Sequence, residues 1–194
     1  MEVYFVTKNP HKFSEVSSIA PGWLKLQPLP DWVPEIRETG STFLENALKK
    51  ALECSRILNS PVLADDSGLE IQALDGFPGV HSARFLESRD YVYKMSKILK
   101  LLEGEKDRSA RFICHAVFHV PDSITLAVVG EIKGEISRDI RGNLGFGYDP
   151  IFIPEGFEKT FGELGEEVKN MISHRSRAFK KLFAVLEKIH FSSF

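Results

Sequence analysis

PVLADDSGLEIQAL, Pro61 to Leu74, holds the reading on which the fold turns. Val62-Leu63-Ala64 is an apolar run entered through a proline, and it reads as a short buried strand. It ends in Asp65-Asp66, where Ser67 and Gly68 bring turn chemistry, and a second strand is expected over Leu69 to Leu74. Ligand sites in open α/β sheets gather beyond strand ends, which is where the two carboxylates fall. Adjacent side chains in extended chain point to opposite faces, so only one of Asp65 and Asp66 lines a given cleft. Magnesium commonly takes one or two carboxylates plus substrate phosphates and waters, so a second acid from elsewhere would be useful. Glu38, just before Thr39-Gly40-Ser41, is the candidate, with Glu35 in reserve. An Asx or Ser turn without a ligand is the competing reading of DDSG.

Working outward, Val3 to Val6 is a short apolar run, followed by the polar TKNPHK and then by Phe13, Val16 and Ile19/Ala20 at helical spacing. Leu24 to Leu29 alternates as a half-buried strand, and Pro28 to Pro34 leads into a loop reaching Gly40. Thr42 and Glu45 stand in capping-box relation and open a helix running to about Leu58. Downstream of the DDSG segment come a Gly/Pro loop, Gly76 to Ala83, and a helix around Tyr91 to Leu102. Ala110 to Val120 and Ile124 to Ile136 form a hairpin across Pro121-Asp122. A Gly-rich loop from Arg141 to Pro150, a short strand Ile151 to Ile153 and a last helix from near Ser173 close the chain. Early interleaving of strands and helices with a central hairpin predicts a mixed α/β sheet within one domain over residues 1–194.

Composition narrows the function classes. The 194 residues are 43% hydrophobic and 27% charged with a formal charge of −2, so no global basic field exists to hold duplex nucleic acid by counterion release. The N-terminal apolar run is too short for a signal h-region and no segment approaches a membrane span, which predicts a cytosolic protein. Cys54 and Cys114 lack metal spacing and read as buried thiols; His81, His115 and His119 receive no metal role.

Four further segments break local rules. In Thr7-Lys8-Asn9-Pro10-His11-Lys12, Asn9 is the expected N-cap and Pro10 the first helical residue. Lys12 then faces the positive end of the helix dipole, mildly unfavourable unless an anion such as phosphate sits there. On the next helix Phe43, Ala47, Cys54 and Ile57 make an apolar stripe with Lys50 in a missing position and Asn46 one turn before it. That pair could meet a phosphate, or Lys50 could snorkel to solvent. GNLGFGYDP, Gly142 to Pro150, is not the dinucleotide fingerprint. Its glycines permit display of Phe146 and Tyr148 for stacking on a base, unless those aromatics plug the core. SHRSRAF opens the final helix, whose buried face is expected to be Phe179, Leu182, Phe183, Leu186 and Ile189, and His174 and Arg175 again sit at the wrong end of a dipole unless they face acceptors.

TxNxxK, TFxENAxxKA, ADDSGLxxxxLxGxPGVxSAR, GFGYDPxF and SHRxxA occur in order between residues 7 and 178. Together they resemble the inosine triphosphate pyrophosphatase family, enzymes that clear noncanonical purine nucleoside triphosphates. The resemblance implies a long central mixed β-sheet flanked by helices, two lobes with a cleft between them, and a homodimer. It implies hydrolysis of dITP, ITP and XTP between the α- and β-phosphates, giving monophosphate and pyrophosphate with Mg2+ as cofactor. Carried over residue by residue, it places Thr7, Lys8, Asn9, Pro10, His11, Lys12 and Lys50 at the triphosphate, with His11 standing where many members have a small residue. Glu38 and Asp66 fall at the metal, Asp66 also as proton acceptor from the attacking water, and Lys12 and Lys50 share the catalytic charge work. Ser67, Phe146, Gly147, Tyr148, Asp149, Lys169, His174 and Arg175 match further substrate contacts, with the 6-oxo group read from the His174-Arg175 helix start. Two alternatives remain: a related pyrophosphatase for modified pyrimidine or ordinary triphosphates, and a non-catalytic nucleotide- or RNA-binding module, against which the acids Glu38 and Asp66 speak.

Overall fold

The computed structural model describes residues 1–87 and 90–192. Six strands form one mixed sheet in the order β2-β1-β3-β4-β5-β6, comprising β1 (Glu2–Val6), β2 (Lys25–Pro28), β3 (Val62–Ile71), β4 (Ser109–His119), β5 (Thr125–Ile136) and β6 (Phe152–Pro154). β1 pairs parallel with both β2 and β3, whereas β5 and β6 are antiparallel. β4 and β5 are neighbours joined by a tight turn in which Asp122 takes φ 51° and the Val120 amide donates to the Ile124 carbonyl. So short a link permits only the expected hairpin. Among the described residues there are five α-helices: α1 (Pro10–Ile19), α2 (Phe43–Leu58), α3 (Tyr91–Leu101), α4 (Phe161–Ile172) and α5 (His174–Ser192).

The chain divides into two compact units. The first comprises Met1–Asp66, Cys114–Gly130 and the chain from His174; the second comprises Ser67–Ile113 and Glu131–Ser173. In the first unit the strands are apolar on both faces, as parallel strands covered on both sides must be. Val3 and Phe5 of β1, Leu63 of β3 and Cys114, Ala116 and Phe118 of β4 pack with Val16 of α1 and Phe179, Leu182, Phe183 and Leu186 of α5. The alternate residues Val6, Val62, Ala64 and Val117 pack with Ala47, Ala51 and Cys54 of α2. Burying one such aliphatic or aromatic side chain is worth about 1.5–3 kcal/mol, so these two faces fix the register of β3. The second unit has its own core, in which Leu69, Phe112, Ile132 and Phe152 from the sheet meet Met95 and Ile98 of α3 and Phe161 of α4.

Several expectations need correction. β3 is one ten-residue strand, Val62–Ile71, and runs straight through Asp65-Asp66-Ser67-Gly68 where a turn was expected; the segment after it, Gln72–Leu74, is a 3-10 turn. α4 was not anticipated at all. Phe161, Leu164, Val168 and Met171 recur at helical spacing, but Gly162 and Gly165 lower the helix propensity, and Gly165 departs from helical geometry at φ 81°, ψ 176°. Ile57 and Ile189, assigned to buried stripes, are exposed, and Ala51 takes the inward place on α2.

Candidate active site

Period-two alternation along β3 sorts the two aspartates. Leu63 belongs to the face covered by α1 and α5, so Asp65 two residues on shares it; Ala64 belongs to the face covered by α2, so Asp66 shares that one. Their partners agree. Asp65 Oδ2 accepts from Lys12 Nζ of α1 at 3.0 Å and from Arg175 Nε of α5 at 3.3 Å, with the Cys114 thiol at 3.8 Å. Asp66 Oδ2 accepts from Asn46 Nδ2 of α2 at 2.9 Å.

Around Asp66 the local structure is built by α2 and the segment before it. Thr42 and Glu45 form the expected capping box, with Thr42 Oγ1 accepting from the Glu45 amide at 3.2 Å and Glu45 accepting from the Thr42 amide at 3.1 Å. Asn46 Oδ1 accepts from the Gly40 amide at 2.7 Å, so one side chain holds both the Glu38 segment and Asp66. Gly40 is required there: a Cβ would fall 2.6 Å from Glu45 Cβ and 2.9 Å from Asn46 Oδ1. Lys50 Nζ donates to Glu38 Oε1 at 2.6 Å. The expected Lys50–Asn46 phosphate patch is therefore an inward-facing group already engaged with acids.

The charges are coupled. Burial, then the negative charge of Glu38, raises the Asp66 carboxyl above its ordinary value, and the lysines Lys50 and Lys12 only partly offset this. Burial opposes the charge on Lys50, but Asp65, Asp66 and Glu38 together outweigh it and raise its pKa. For Asp65 burial is likewise outweighed, here by Lys12, Arg175 and Lys50, and its carboxyl is held far below the usual carboxylate range. Three acids and two lysines thus share one electrostatic neighbourhood in the first unit. Glu38 and Asp66 repel one another and offer hard oxygen donors, which is the chemistry magnesium takes. Among the described residues no group of three or more acids, histidines or cysteines converges as a metal cage, so the remaining ligands would be phosphate and water. Glu35, the reserve acid, is exposed.

The loop before α1 follows expectation. Asn9 is the N-cap, its Oδ1 accepting from the His11 and Lys12 amides at 2.9 and 3.4 Å, Pro10 opens the helix, and Thr7 Oγ1 accepts from the Asn9 amide at 3.1 Å. Lys8 and His11 are exposed. The negative charge expected opposite Lys12 is supplied by the protein itself, through Asp65.

The same holds for the start of α5. Arg175 is buried against Asp65 and also donates from Nη1 to Glu15 Oε2, a residue on α1 that the motifs did not single out. Its Nε and Nη1 are turned to these carboxylates, and His174 is buried beside it in the chain. Gly130 of β5 lets this helix start approach the sheet, since a Cβ there would sit 2.3 Å from the His174 carbonyl oxygen and the Ala178 amide nitrogen.

In the second unit the Gly142 to Pro150 loop gathers Phe146, Asp149 and Lys169. Asp149 Oδ2 accepts from the Phe146 amide at 2.8 Å and from Lys169 Nζ at 2.6 Å, and Lys169 Nζ lies 4.0 Å from the Phe146 ring centroid. Phe146 is half-buried, with one face under the ammonium. Tyr148 is 3% exposed and donates its hydroxyl to the Ser82 carbonyl at 2.8 Å, so it supports the loop from beneath and displays nothing. Gly147 takes φ 68°, and Ser67 lies half-buried on β3.

Sequence reasoning missed the pairing of Asp65 with Lys12 and Arg175, the residue Glu15 and the double role of Asn46. The burial of a carboxylate is legible only once its cations, distant in sequence, are brought to it.

The model of the Ham1 family matches residues 3–185. A dITP/XTP pyrophosphatase of Ignicoccus hospitalis is 44% identical over 190 residues, covering 93% of this chain and 94% of that protein. The dITP/XTP pyrophosphatase of Bacillus subtilis is 43% identical, covering 96% and 97%. Among solved structures, a HAM1 protein from Coxiella burnetii superposes with TM-score 0.89 at 39% identity over 97% of this chain and 99% of that one. The Staphylococcus aureus Ham1 protein gives 0.87 at 38% identity over 96% and 98%. With family match and near-complete coverage agreeing, the chain belongs to the Ham1 family.

Proposed function

We infer that the chain is a nucleoside-triphosphate pyrophosphatase that hydrolyses dITP, ITP and XTP to the monophosphate and pyrophosphate. The observation that carries this reading is the electrostatic group in the first unit: Glu38 and Asp66, two mutually repelling acids, set among Lys50, Lys12 and Asp65. A binding module has no need of repelling acids beside its phosphate-holding lysines. Relatives named as dITP/XTP pyrophosphatases support the substrate class.

Asp66 accepts the proton of the attacking water, a role suited to a carboxylate whose basicity is raised by burial and by Glu38. Lys12 and Lys50 offset the charge that grows on the departing pyrophosphate. Glu38 and Asp66 would hold Mg2+, which when bound supplies charge neutralisation at the phosphates. Thr7, Lys8, Asn9, Pro10 and His11 line the phosphate approach, at the positive end of the α1 dipole, where a negative charge is favoured.

Base handling belongs to the Phe146 loop, where the Phe146 ring stacks the purine and Asp149 holds the loop amide. Ser67 and Gly147 are further contacts of this reading. A hypoxanthine or xanthine 6-oxo group accepts hydrogen bonds where adenine presents a donor, and a mismatched buried donor costs about 1–3 kcal/mol. In this reading His174 and Arg175 at the start of α5 supply such donors. The active form in this reading is a homodimer in the cytosol. Among the described residues no helix is long and apolar enough to cross a membrane.

The test is pyrophosphate and monophosphate release from dITP, ITP, XTP, ATP and GTP, each with and without magnesium. Preference for the first three, dependent on magnesium, supports the reading; equal turnover of ATP overturns it.

A further inference from the structure

Glu15 belongs to none of the motifs and has no part in the phosphate chemistry above, yet it closes a chain of charges that ends on a phosphate-handling lysine. It lies three residues after Lys12 on α1, so the two side chains leave the same helix face. Glu15 accepts from Arg175 Nη1, Arg175 Nε donates to Asp65 Oδ2 at 3.3 Å, and that same oxygen accepts from Lys12 Nζ at 3.0 Å. The circuit runs from α1 to β3, to α5 and back to α1, with signs plus, minus, plus, minus. Side-chain exposures are 18% for Lys12, 1% for Asp65, 3% for Arg175 and 12% for Glu15. Charges so deeply placed persist only when paired, and removing one partner leaves the next uncompensated.

Lys12 and Arg175 compete for one oxygen of Asp65. Without Glu15, the whole guanidinium charge falls on Asp65, and Lys12 loses part of its hold. We propose that Glu15 is a positioning residue for Lys12, acting through Arg175 and Asp65: it saturates the guanidinium so that Asp65 can keep the ammonium in place. The proposal rests on the reading of Lys12 as a phosphate-handling residue.

A double-mutant cycle on Lys12→Ala and Glu15→Gln, assayed on ITP with magnesium, tests the coupling. Glu15→Gln is expected to lower kcat about tenfold with KM changed less than threefold, to lose almost nothing further in the Lys12→Ala background, and to be largely rescued by Glu15→Asp. Equal losses in both backgrounds would overturn the proposal, since a merely structural role is additive. Should Glu15→Gln fail to fold, Arg175→Lys, which keeps the charge and loses the fork, takes its place in the cycle. A second readout needs no turnover: limiting acetic anhydride, with peptide mass spectrometry scoring acylation of Lys12 against the exposed Lys8. Glu15→Gln should raise Lys12 labelling at least threefold relative to Lys8; an unchanged ratio rejects the positioning role. If the wild-type chain does not hydrolyse ITP, the functional reading falls, and the labelling ratio alone decides the positioning role.

Discussion

Asp65 and Asp66 are joined by one peptide bond and differ in every physical respect that matters. Asp65 is saturated with cations and held far below the usual carboxylate range, whereas Asp66 is pushed upward by burial and by Glu38. Their signs for stability are opposite. A carboxylate with a depressed folded pKa contributes stability that is present above its unfolded value, near 3.8, and lost as pH falls through the folded value. Asp65→Asn should therefore cost about 3–5 kcal/mol at pH 7, the loss expected on removing one partner of a buried pair, and the gap from wild type should narrow below pH 4. Urea unfolding at pH 7, 5 and 3 reads this; a gap that widens on acidification contradicts it. A raised carboxyl is instead an increasing cost as pH rises through its folded value. Asp66→Asn should leave the neutral-pH Tm unchanged or higher while abolishing ITP turnover and the magnesium-induced rise in Tm. Retention of more than about a tenth of the wild-type rate would remove Asp66 from the proton-accepting role. That the pair faces opposite ways was legible from strand periodicity, but the consequence was not, because Lys12 and Arg175 lie 53 and 110 residues from Asp65.

At the level of elements, the sequence was readable where local rules act alone. Asn9-Pro10 and Thr42-Glu45 cap their helices as expected, because N-capping depends on a few consecutive residues. It was unreadable where tertiary partners override local preference. DDSG has turn chemistry, yet one oxygen of each aspartate accepts from a side chain of another element, Asp65 Oδ2 from Lys12 and Asp66 Oδ2 from Asn46, and the strand continues. The glycines at 162 and 165 hid α4 by their low helix propensity, whereas the alternative that the loop's aromatics plug the core was legible and fits Tyr148. The segment before α2 gives a test. Gly40→Ala would push a methyl against Glu45 and Asn46, displacing the segment that carries Glu38. The half-saturating magnesium concentration should rise at least fivefold, with KM for ITP at saturating metal altered much less; a changed Tm with normal metal dependence would mean Glu38 is not a ligand. The Phe146 loop gives another. Stacking accepts any base, so Phe146→Ala should lower kcat/KM by about 1–3 kcal/mol for ITP and ATP alike. A changed ITP-to-ATP ratio would show that the loop reads the base as well as holding it.

For the whole molecule, mixed sheet, hairpin and interleaved helices were legible from patterning, whereas the division into two compact units was expected only through the family resemblance, since β3, β4 and β5 each contribute residues to both. The phosphate-handling charges all belong to the first unit and the Phe146 loop to the second. The direct measurement is the ratio of kcat/KM for ITP over ATP at neutral pH, with inorganic pyrophosphate and monophosphate both quantified, in the presence and absence of magnesium. Stoichiometric pyrophosphate and IMP, a ratio of about tenfold or more and no turnover without the metal are the expected result. Release of orthophosphate and a diphosphate, or equal rates for ITP and ATP, would contradict it.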